Sequence, residues 1–203
     1  MFENLSIYTV VVTILLLLYI LFDVNYFLRI LFTIGCGRLC TKKKNVNEQT
    51  EIYGFCTTQD LDIMFKHMNN ARYVRELDFA RFHFYDRTGI YEEIMKIKGH
   101  VLQTASNVRY RRTIPIFTAY KINTKIVTWD DATLFIEQQF VTLNDNFVRA
   151  IILSKQTTIG VNVPELMAKL SGKDISYRPT PPPELQDWLQ SIEKSSARLR
   201  KKE

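Results

Sequence analysis

Residues 60–73, DLDIMFKHMNNARY, gather two aspartates, a histidine and a pair of asparagines directly in front of a helical pattern. Asn69 or Asn70 is a natural N-cap, because an asparagine side chain accepts a hydrogen bond from a backbone N–H that the first helical turn leaves unpaired. The stretch therefore predicts the start of a helix, with polar side chains collected at that end.

The helix itself is indicated by apolar residues at helical spacing. Tyr73, Leu77, Ala80 and Phe84 follow the positions i, i+4, i+7 and i+11, which places them on one face. Gly89 supplies the stop, because glycine readily adopts the left-handed conformation that ends many helices. We therefore expect one long helix with a single buried face.

Beyond this helix, the apolar pattern changes from the helical period toward the period of two that is typical of strands. A short strand is predicted before the helix and four long strands after it, over residues 52–57, 100–112, 117–129, 132–143 and 147–158. Short polar turns at 130–131 and 144–146 indicate antiparallel hairpins. The order predicts an α+β fold in which a long helix faces a curved antiparallel sheet.

Residues 67–73, HMNNARY, resemble the signature of hotdog-fold thioesterases of the 4-hydroxybenzoyl-CoA and acyl-ACP thioesterase type. Residues 74–82, VRELDFARF, narrow the resemblance to the sixth member of the animal thioesterase superfamily and its insect relatives. The likeness runs from about Tyr53 to the C-terminal helix. It implies a hotdog fold, hydrolysis of acyl-CoA or another acyl thioester, and at least a homodimer with sites between subunits.

By this resemblance, the catalytic group lies at the start of the helix. Asp62 is the first candidate for general base or nucleophile, and His67 is expected to assist because histidine titrates near neutral pH. Asn69 and Asn70 would orient substrate or water, and the first backbone N–H groups of the helix would stabilise a developing oxyanion. Asp62 stands five residues before His67, where the family usually has four. The extra residue could move the Asp62 carboxylate away from the position that a catalytic acid must occupy.

Two acids on the helix are the alternatives, because other hotdog enzymes place the acid there. Glu76 and Asp78 are these candidates, and each could instead be an ion-pair partner of an arginine nearby on the helix. If the shifted Asp62 has lost its function, the chain is a non-catalytic binder of acyl chains or acyl-CoA. The sequence leaves open whether the protein is an enzyme.

Coenzyme A carries phosphates, for which arginine is a favoured counter-charge. Arg109, Arg111 and Arg112 end a predicted strand and are candidates to bind it; the alternative is that they are solvated charges that discourage edge aggregation. The coenzyme would belong to the substrate, and neither a separate cofactor nor a metal site is predicted. Phosphoryl transfer, redox and serine-hydrolase chemistry have no motif in the sequence.

The N-terminal run from Leu5 to Phe22 is uncharged and predicts a transmembrane helix, and Val24 to Ile34 is expected to continue in the interface. Basic residues follow this run and none precede it, which by the positive-inside rule places the domain in the cytoplasm. We expect a single-pass protein of the endoplasmic reticulum. The alternative is a cleaved signal peptide and a secreted protein, although no cleavage pattern follows Leu18.

We divide the chain into an anchor over 1–40, a basic linker over 41–50, a hotdog domain over 51–172 and a Pro-rich arm with a basic C-terminal helix over 173–203. The helical pattern over 184–200 is expected to dock on the domain, with membrane binding as the alternative.

The net charge of +6 is concentrated in two clusters, one behind the hydrophobic run and one at the C-terminus: Arg38, Lys42, Lys43 and Lys44, and Lys194, Arg198, Arg200, Lys201 and Lys202. Such clusters suit anionic lipid, and no nucleic-acid-binding module accompanies them.

Cys36, Cys40 and Cys56 are an odd number of cysteines, which indicates reducing surroundings. The first two are free thiols or sites of S-palmitoylation.

Overall fold

The computed structural model describes residues 2–200. Its elements follow in the order α1 (Phe2–Leu21), α2 (Val24–Cys40), β1 (Thr50–Phe55), a 3-10 turn (Thr58–Asp60), α3 (Asn70–Thr88), α4 (Ile90–Lys96), β2 (His100–Tyr110), β3 (Ala119–Trp129), β4 (Thr133–Thr142), β5 (Val148–Ile159), α5 (Val163–Ser171) and α6 (Pro183–Arg200). The strands form one antiparallel sheet in the order β1-β3-β4-β5-β2. The predicted α+β class is confirmed.

The long helix α3 lies against the sheet along the face that the sequence indicates. It is capped by the side chain of Asn69 and ends at Gly89, whose φ of 81° is left-handed. Tyr73, Leu77 and Ala80 are buried against inward-facing residues of the sheet. The rest of that face, at the other end of the helix, is buried against residues from β3, β4, α4 and α5. Burial of this face on the sheet is what fixes the position of the helix start.

Strand pairing explains which edge of the sheet is open. The hairpins β3–β4 and β4–β5 are those that the polar turns predict, whereas β2 pairs with β5 rather than with its neighbour in sequence β3. This pairing leaves β2 at the end of the sheet, with most of its side chains exposed. β2 is therefore one of the two edge strands, with β1 at the other end of the sheet, and its last residue lies beside the start of α3.

Helix α2 packs along α3 through a ladder of ion pairs. Asp23 pairs with Arg75 at one end, Arg29 with Glu76 at 2.6 Å in the middle, and Arg38 with Asp86 at 2.6 Å further along. Since rising residue numbers on α2 meet rising numbers on α3, the two helices run parallel. The segment predicted as a linker also contributes to the core, because Val46 is fully buried.

The first two helices bear on the predicted membrane anchor. Among the described residues, no helix taken alone is long and apolar enough to cross a bilayer, but Ser6–Tyr19 and Val24–Cys40, bent by 74° at their break, reach those measures as a pair. The single span predicted over 5–22 therefore gains no support from the structure. Of the C-terminal basic cluster, Lys201 and Lys202 lie outside the described residues.

Helix α6 covers part of the outer face of the sheet. Leu185, Trp188 and Leu189 pack against a small apolar cluster that includes Phe135 and Leu153. The helix is thus docked on its own domain, as the sequence predicts.

Candidate active site

Residues 61–68 form a tight hairpin between the 3-10 turn and α3. Leu61 and Met68 pair as an antiparallel bridge, and the Asp62 N–H donates to the carbonyl oxygen of His67 at 3.0 Å. The Phe65 N–H closes the turn by donating to the Asp62 carbonyl at 3.0 Å, with Phe65 in the left-handed region at φ 54°. These hydrogen bonds place Asp62 and His67 opposite each other across the turn, at their spacing of five residues.

The Asp62 carboxylate is only partly satisfied. His67 Nε2 lies 3.4 Å from Asp62 Oδ2, while His67 Nδ1 lies 3.3 Å from the carbonyl oxygen of Met68. A carbonyl and a carboxylate oxygen both only accept, so each ring nitrogen of His67 faces an acceptor, and a proton on Nε2 is the one that lets His67 donate to Asp62. Among the described residues, Asp62 Oδ1 is buried without a hydrogen-bond partner. Such an oxygen keeps its lone pairs available to a water or substrate that gains access to it.

The first turn of α3, which follows the hairpin directly, has a backbone donor that is not used within the helix cap. The Ala71 N–H is taken by the Asn69 side chain at 2.8 Å, and the Asn69 N–H donates to the Asp60 carbonyl at 2.7 Å. Within residues 2–200 the N–H of Asn70 has no such partner, and its carbonyl accepts from the Tyr110 hydroxyl at 3.0 Å. Asn69 therefore serves as the cap, and Asn70 supplies a donor at the positive end of the helix dipole.

Asp60 is a structural carboxylate that the sequence analysis missed. It is buried, and its Oδ1 accepts from Arg72 Nε and Nη2 at 2.9 and 2.7 Å. Its Oδ2 accepts from the Thr57 N–H and hydroxyl at 2.8 and 2.9 Å. The spacing from Thr57 to Asp60 is that of a capping box, which was the available signal. Asp60 fixes the approach to α3 and has no oxygen left for chemistry.

Glu76 and Asp78, the alternative acids, are both engaged with α2. Arg29 Nη1 and Nη2 donate to the two oxygens of Glu76 at 2.6 and 2.7 Å, and the Tyr120 hydroxyl donates to Oε2 at 3.1 Å. Burial, with a further contribution from the Glu76 carboxylate, raises the pKa of Tyr120 well above its usual value. Asp78 accepts from the hydroxyl of Tyr26 at 3.2 Å and also pairs with Arg81. These contacts assign both acids a role in holding α2.

Tyr73 forms part of the wall beneath the site. Its hydroxyl accepts from the Ile114 N–H at 3.0 Å, and its ring packs edge-on against Tyr110 and Phe140. Burial raises its pKa to about 12. Tyr73 therefore stays neutral and packs the wall.

Two of the predicted arginines gather near the site and the third does not. The guanidinium groups of Arg111 and Arg112 lie over the ring of Phe147 at 4.7 and 4.4 Å, joined by Arg149 at 5.3 Å. The loop after this cluster leads to Pro115, which pairs with His67. Arg109 faces a separate cleft beside Asn107 and Glu137. Arg149 comes from β5, so adjacency in sequence could not reveal it.

The described side chains of the candidate site do not form a metal-binding cluster. In the part of the chain that the structure describes, no cluster of three or more His, Cys, Asp or Glu side chains is placed to hold a metal ion. The arginine cluster, formed by Arg111, Arg112 and Arg149, is suited to phosphate groups.

Comparison with known proteins identifies the family of this chain. The family model of the thioesterase-like superfamily matches residues 56–189. The chain is 55% identical over 188 residues to Protein THEM6 of Drosophila melanogaster, covering 93% of this chain and 96% of that protein.

Among solved structures, the chain resembles YbaW, a probable thioesterase from Escherichia coli, with a TM-score of 0.54 and 22% identity over 61% of this chain and 96% of that one. It also resembles the hypothetical protein SAV2348 from Staphylococcus aureus in complex with CoA, with a TM-score of 0.53 and 14% identity over 71% of this chain and 96% of that one. At these identities the likeness shows the hotdog fold.

Proposed function

Because this chain belongs to the thioesterase-like superfamily, we propose that it hydrolyses acyl-CoA thioesters while anchored to a membrane. The observation that carries the proposal is the buried oxygen of Asp62 that has no hydrogen-bond partner among the described residues, opposite His67 in the hairpin that leads into α3. This arrangement places a base and an oxyanion donor at one end of one helix.

In the proposed reaction, Asp62 Oδ1 removes a proton from water, and the resulting hydroxide forms a bond to the thioester carbonyl carbon. The Asn70 N–H and the dipole of α3 stabilise the oxyanion that develops. Collapse of the tetrahedral intermediate breaks the carbon–sulfur bond, and the thiolate takes the proton from Asp62. His67 orients the carboxylate throughout, at its distance of 3.4 Å.

The carrier end of the substrate is assigned to the arginine cluster. Arg111 and Arg112 are exposed and lie on the loop that reaches His67 through Pro115. Arginines in this position can bind the phosphates of coenzyme A. The complex of SAV2348 with CoA supports this class of ligand for the fold.

The membrane anchor is assigned to α1. Its described side chains are exposed and, apart from Ser6, Thr9 and Thr13, largely apolar, and such a helix needs an apolar environment. α2 also exposes Phe27, Leu31 and Phe32 on the side away from α3. We infer that α1 enters the bilayer and that α2 lies at its surface, with the domain on the cytoplasmic side of the endoplasmic reticulum.

A second copy is assigned to the open edge of the sheet. β2 has eleven residues with no neighbouring strand on one side, and such edges favour pairing with another chain. Tyr110 at its end contacts Asn70, so a partner strand would lie close to the site. We therefore propose a homodimer paired through β2.

The test is thiol release by the full chain in nanodiscs, over acyl-CoA substrates from short to long chains. Wild type is expected to hydrolyse part of this series, and Asp62→Asn to reduce kcat by about 10²- to 10⁴-fold. Asp187→Asn, at an exposed position of α6, is the control. Binding of acyl-CoA with no hydrolysis at any length would show instead a non-catalytic acyl-CoA-binding protein.

A further inference from the structure

The turn of the hairpin at residues 61–68 carries large apolar side chains that no described residue covers. Ile63, Met64 and Phe65 are 88%, 63% and 74% exposed, and they directly follow Asp62. Three consecutive exposed apolar residues are unusual on a protein surface unless they meet a partner.

Two further aromatic residues extend this surface. Phe117 and Phe55 are 67% and 51% exposed, with ring centroids 6.4 Å apart. The loop that carries Phe117 is tied to the hairpin, because the Ile116 N–H donates to the carbonyl of Lys66 at 3.2 Å. The five residues Ile63, Met64, Phe65, Phe117 and Phe55 form one surface, here called the apolar tip.

The apolar tip and the end of α1 lie at the same end of the molecule. α2 runs parallel to α3, so the break between α1 and α2 is beside the start of α3. A cleft of about 400 Å³ brings Phe22 and Asp23, at this break, together with Gln59 of the 3-10 turn and Arg72 of α3. The hairpin is the segment that joins this turn to α3.

We propose that the apolar tip inserts into the lipid surface that α1 enters, so that the active site opens at the level of the headgroups. A turn with protruding side chains suits insertion better than docking on a flat protein surface, and exposed Lys66 would meet anionic headgroups. Acyl thioesters with long chains partition into bilayers, so they would reach Asp62 from the membrane. This inference rests on the proposed function for its substrate class only.

The first experiment measures insertion without requiring catalysis. Phe65→Trp is prepared in the full chain and reconstituted in vesicles with and without brominated phospholipid, with the signal of wild type, which contains Trp129 and Trp188, subtracted. Quenching of roughly half of the added emission is expected for a side chain about 5–10 Å below the surface. Ile175→Trp, at another exposed apolar residue far from the hairpin in sequence, is the control and should not be quenched.

An unquenched tryptophan at position 65 overturns the proposal. If its emission is also blue-shifted in proportion to protein concentration, a second copy covers the tip. If it is not shifted, the tip stays in water.

The second experiment separates this inference from the proposed function. Phe55→Ser with Phe117→Ser, two tip residues outside the hairpin, should lower kcat/KM for a long-chain acyl-CoA in vesicles by about tenfold, because apolar burial in lipid is lost, while a soluble short-chain substrate is hydrolysed as by wild type. Equal loss for both substrates would contradict membrane delivery. A chain that is quenched but inactive refutes only the hydrolase, and an active chain that is not quenched refutes only the insertion.

Discussion

Asp62 and Glu76 are acids near the same end of α3, yet their surroundings are opposite. Glu76 is buried with both oxygens bonded, by Arg29 and Tyr120. Asp62 has one oxygen facing His67 and another buried without a partner in the described part of the chain. Burying a carboxylate is costly unless its oxygens are bonded. Glu76, whose oxygens are both bonded, therefore contributes to holding two helices together. Asp62, with one oxygen unbonded, retains the capacity to react.

The largest expected effect on stability is at Glu76. Glu76→Gln should lower the free energy of unfolding by about 3 kcal/mol, because it leaves Arg29 without its counter-charge; the partial exposure of Arg29 keeps the loss at the low end for a buried pair. Chemical denaturation in detergent measures it.

Glu193→Gln is the control, because it removes a glutamate–arginine pair that is exposed on both sides and should change stability by less than about 0.5 kcal/mol. Equal effects of the two substitutions would contradict a structural role for Glu76. A loss of hydrolysis in Glu76→Gln under conditions where it remains folded would make Glu76 the acid instead of Asp62.

The next largest effect on stability distinguishes Asp60 from Asp62, two aspartates that precede α3. Asp60→Asn should cost about 2 kcal/mol of unfolding free energy, because it weakens charge-assisted hydrogen bonds from Arg72 and Thr57. Asp62→Asn should change it by less than about 0.5 kcal/mol. Thermal unfolding of the two variants side by side makes the comparison, and a greater loss in Asp62→Asn would show that its free oxygen has a structural partner.

The smallest effect is a pH dependence at His83. This residue is buried against Gly37 of α2 with Nδ1 unpartnered among the described residues. Burial, assisted by the positive charge of Arg87, lowers its pKa below 6.5, while Asp86 opposes the shift and Lys44 adds to it. Above the unfolded pKa both states are neutral and stability is intact. As the pH falls below about 6.5, the unfolded chain takes up a proton first, so stability is lost until the folded pKa is passed.

The measurement is the free energy of unfolding from pH 8 to pH 5. His83→Gln should flatten the decline that begins near 6.5, and His100→Gln, at an exposed residue of β2, should leave it unchanged. An unchanged decline in His83→Gln would assign the pH dependence to other groups.

Local pattern was sufficient for most of the fold. The period of the apolar residues, together with Asn69 and Gly89 at its ends, located α3, and the polar turns located two hairpins. Pairing of β2 with β5 could not be predicted, because it joins strands that are far apart in sequence and leaves no local signal. The short helix α4 was missed as well, since it starts immediately after the glycine that ends α3.

The candidate site was predicted less completely, for a similar reason. Spacing along the helix suggested a nearby arginine of α3 as the partner of Glu76, and Arg72 does lie 3.9 Å from it. The closer partner, Arg29, comes from α2. Whether the Asp62 carboxylate lies near His67, given the extra residue between them, depends on the backbone conformation of the turn at Phe65, and the sequence does not specify that conformation.

The ladder between α2 and α3 has a consequence for the order of events during synthesis. Arg29 and Glu76 are 47 positions apart, so α2 emerges from the ribosome well before its counter-charges exist. Until α3 has been made, the arginines of α2 have no counter-charge and must remain hydrated. Docking of α2 is then completed only after α3 has been translated through Asp86, which makes the pairing of these two helices a late step of folding.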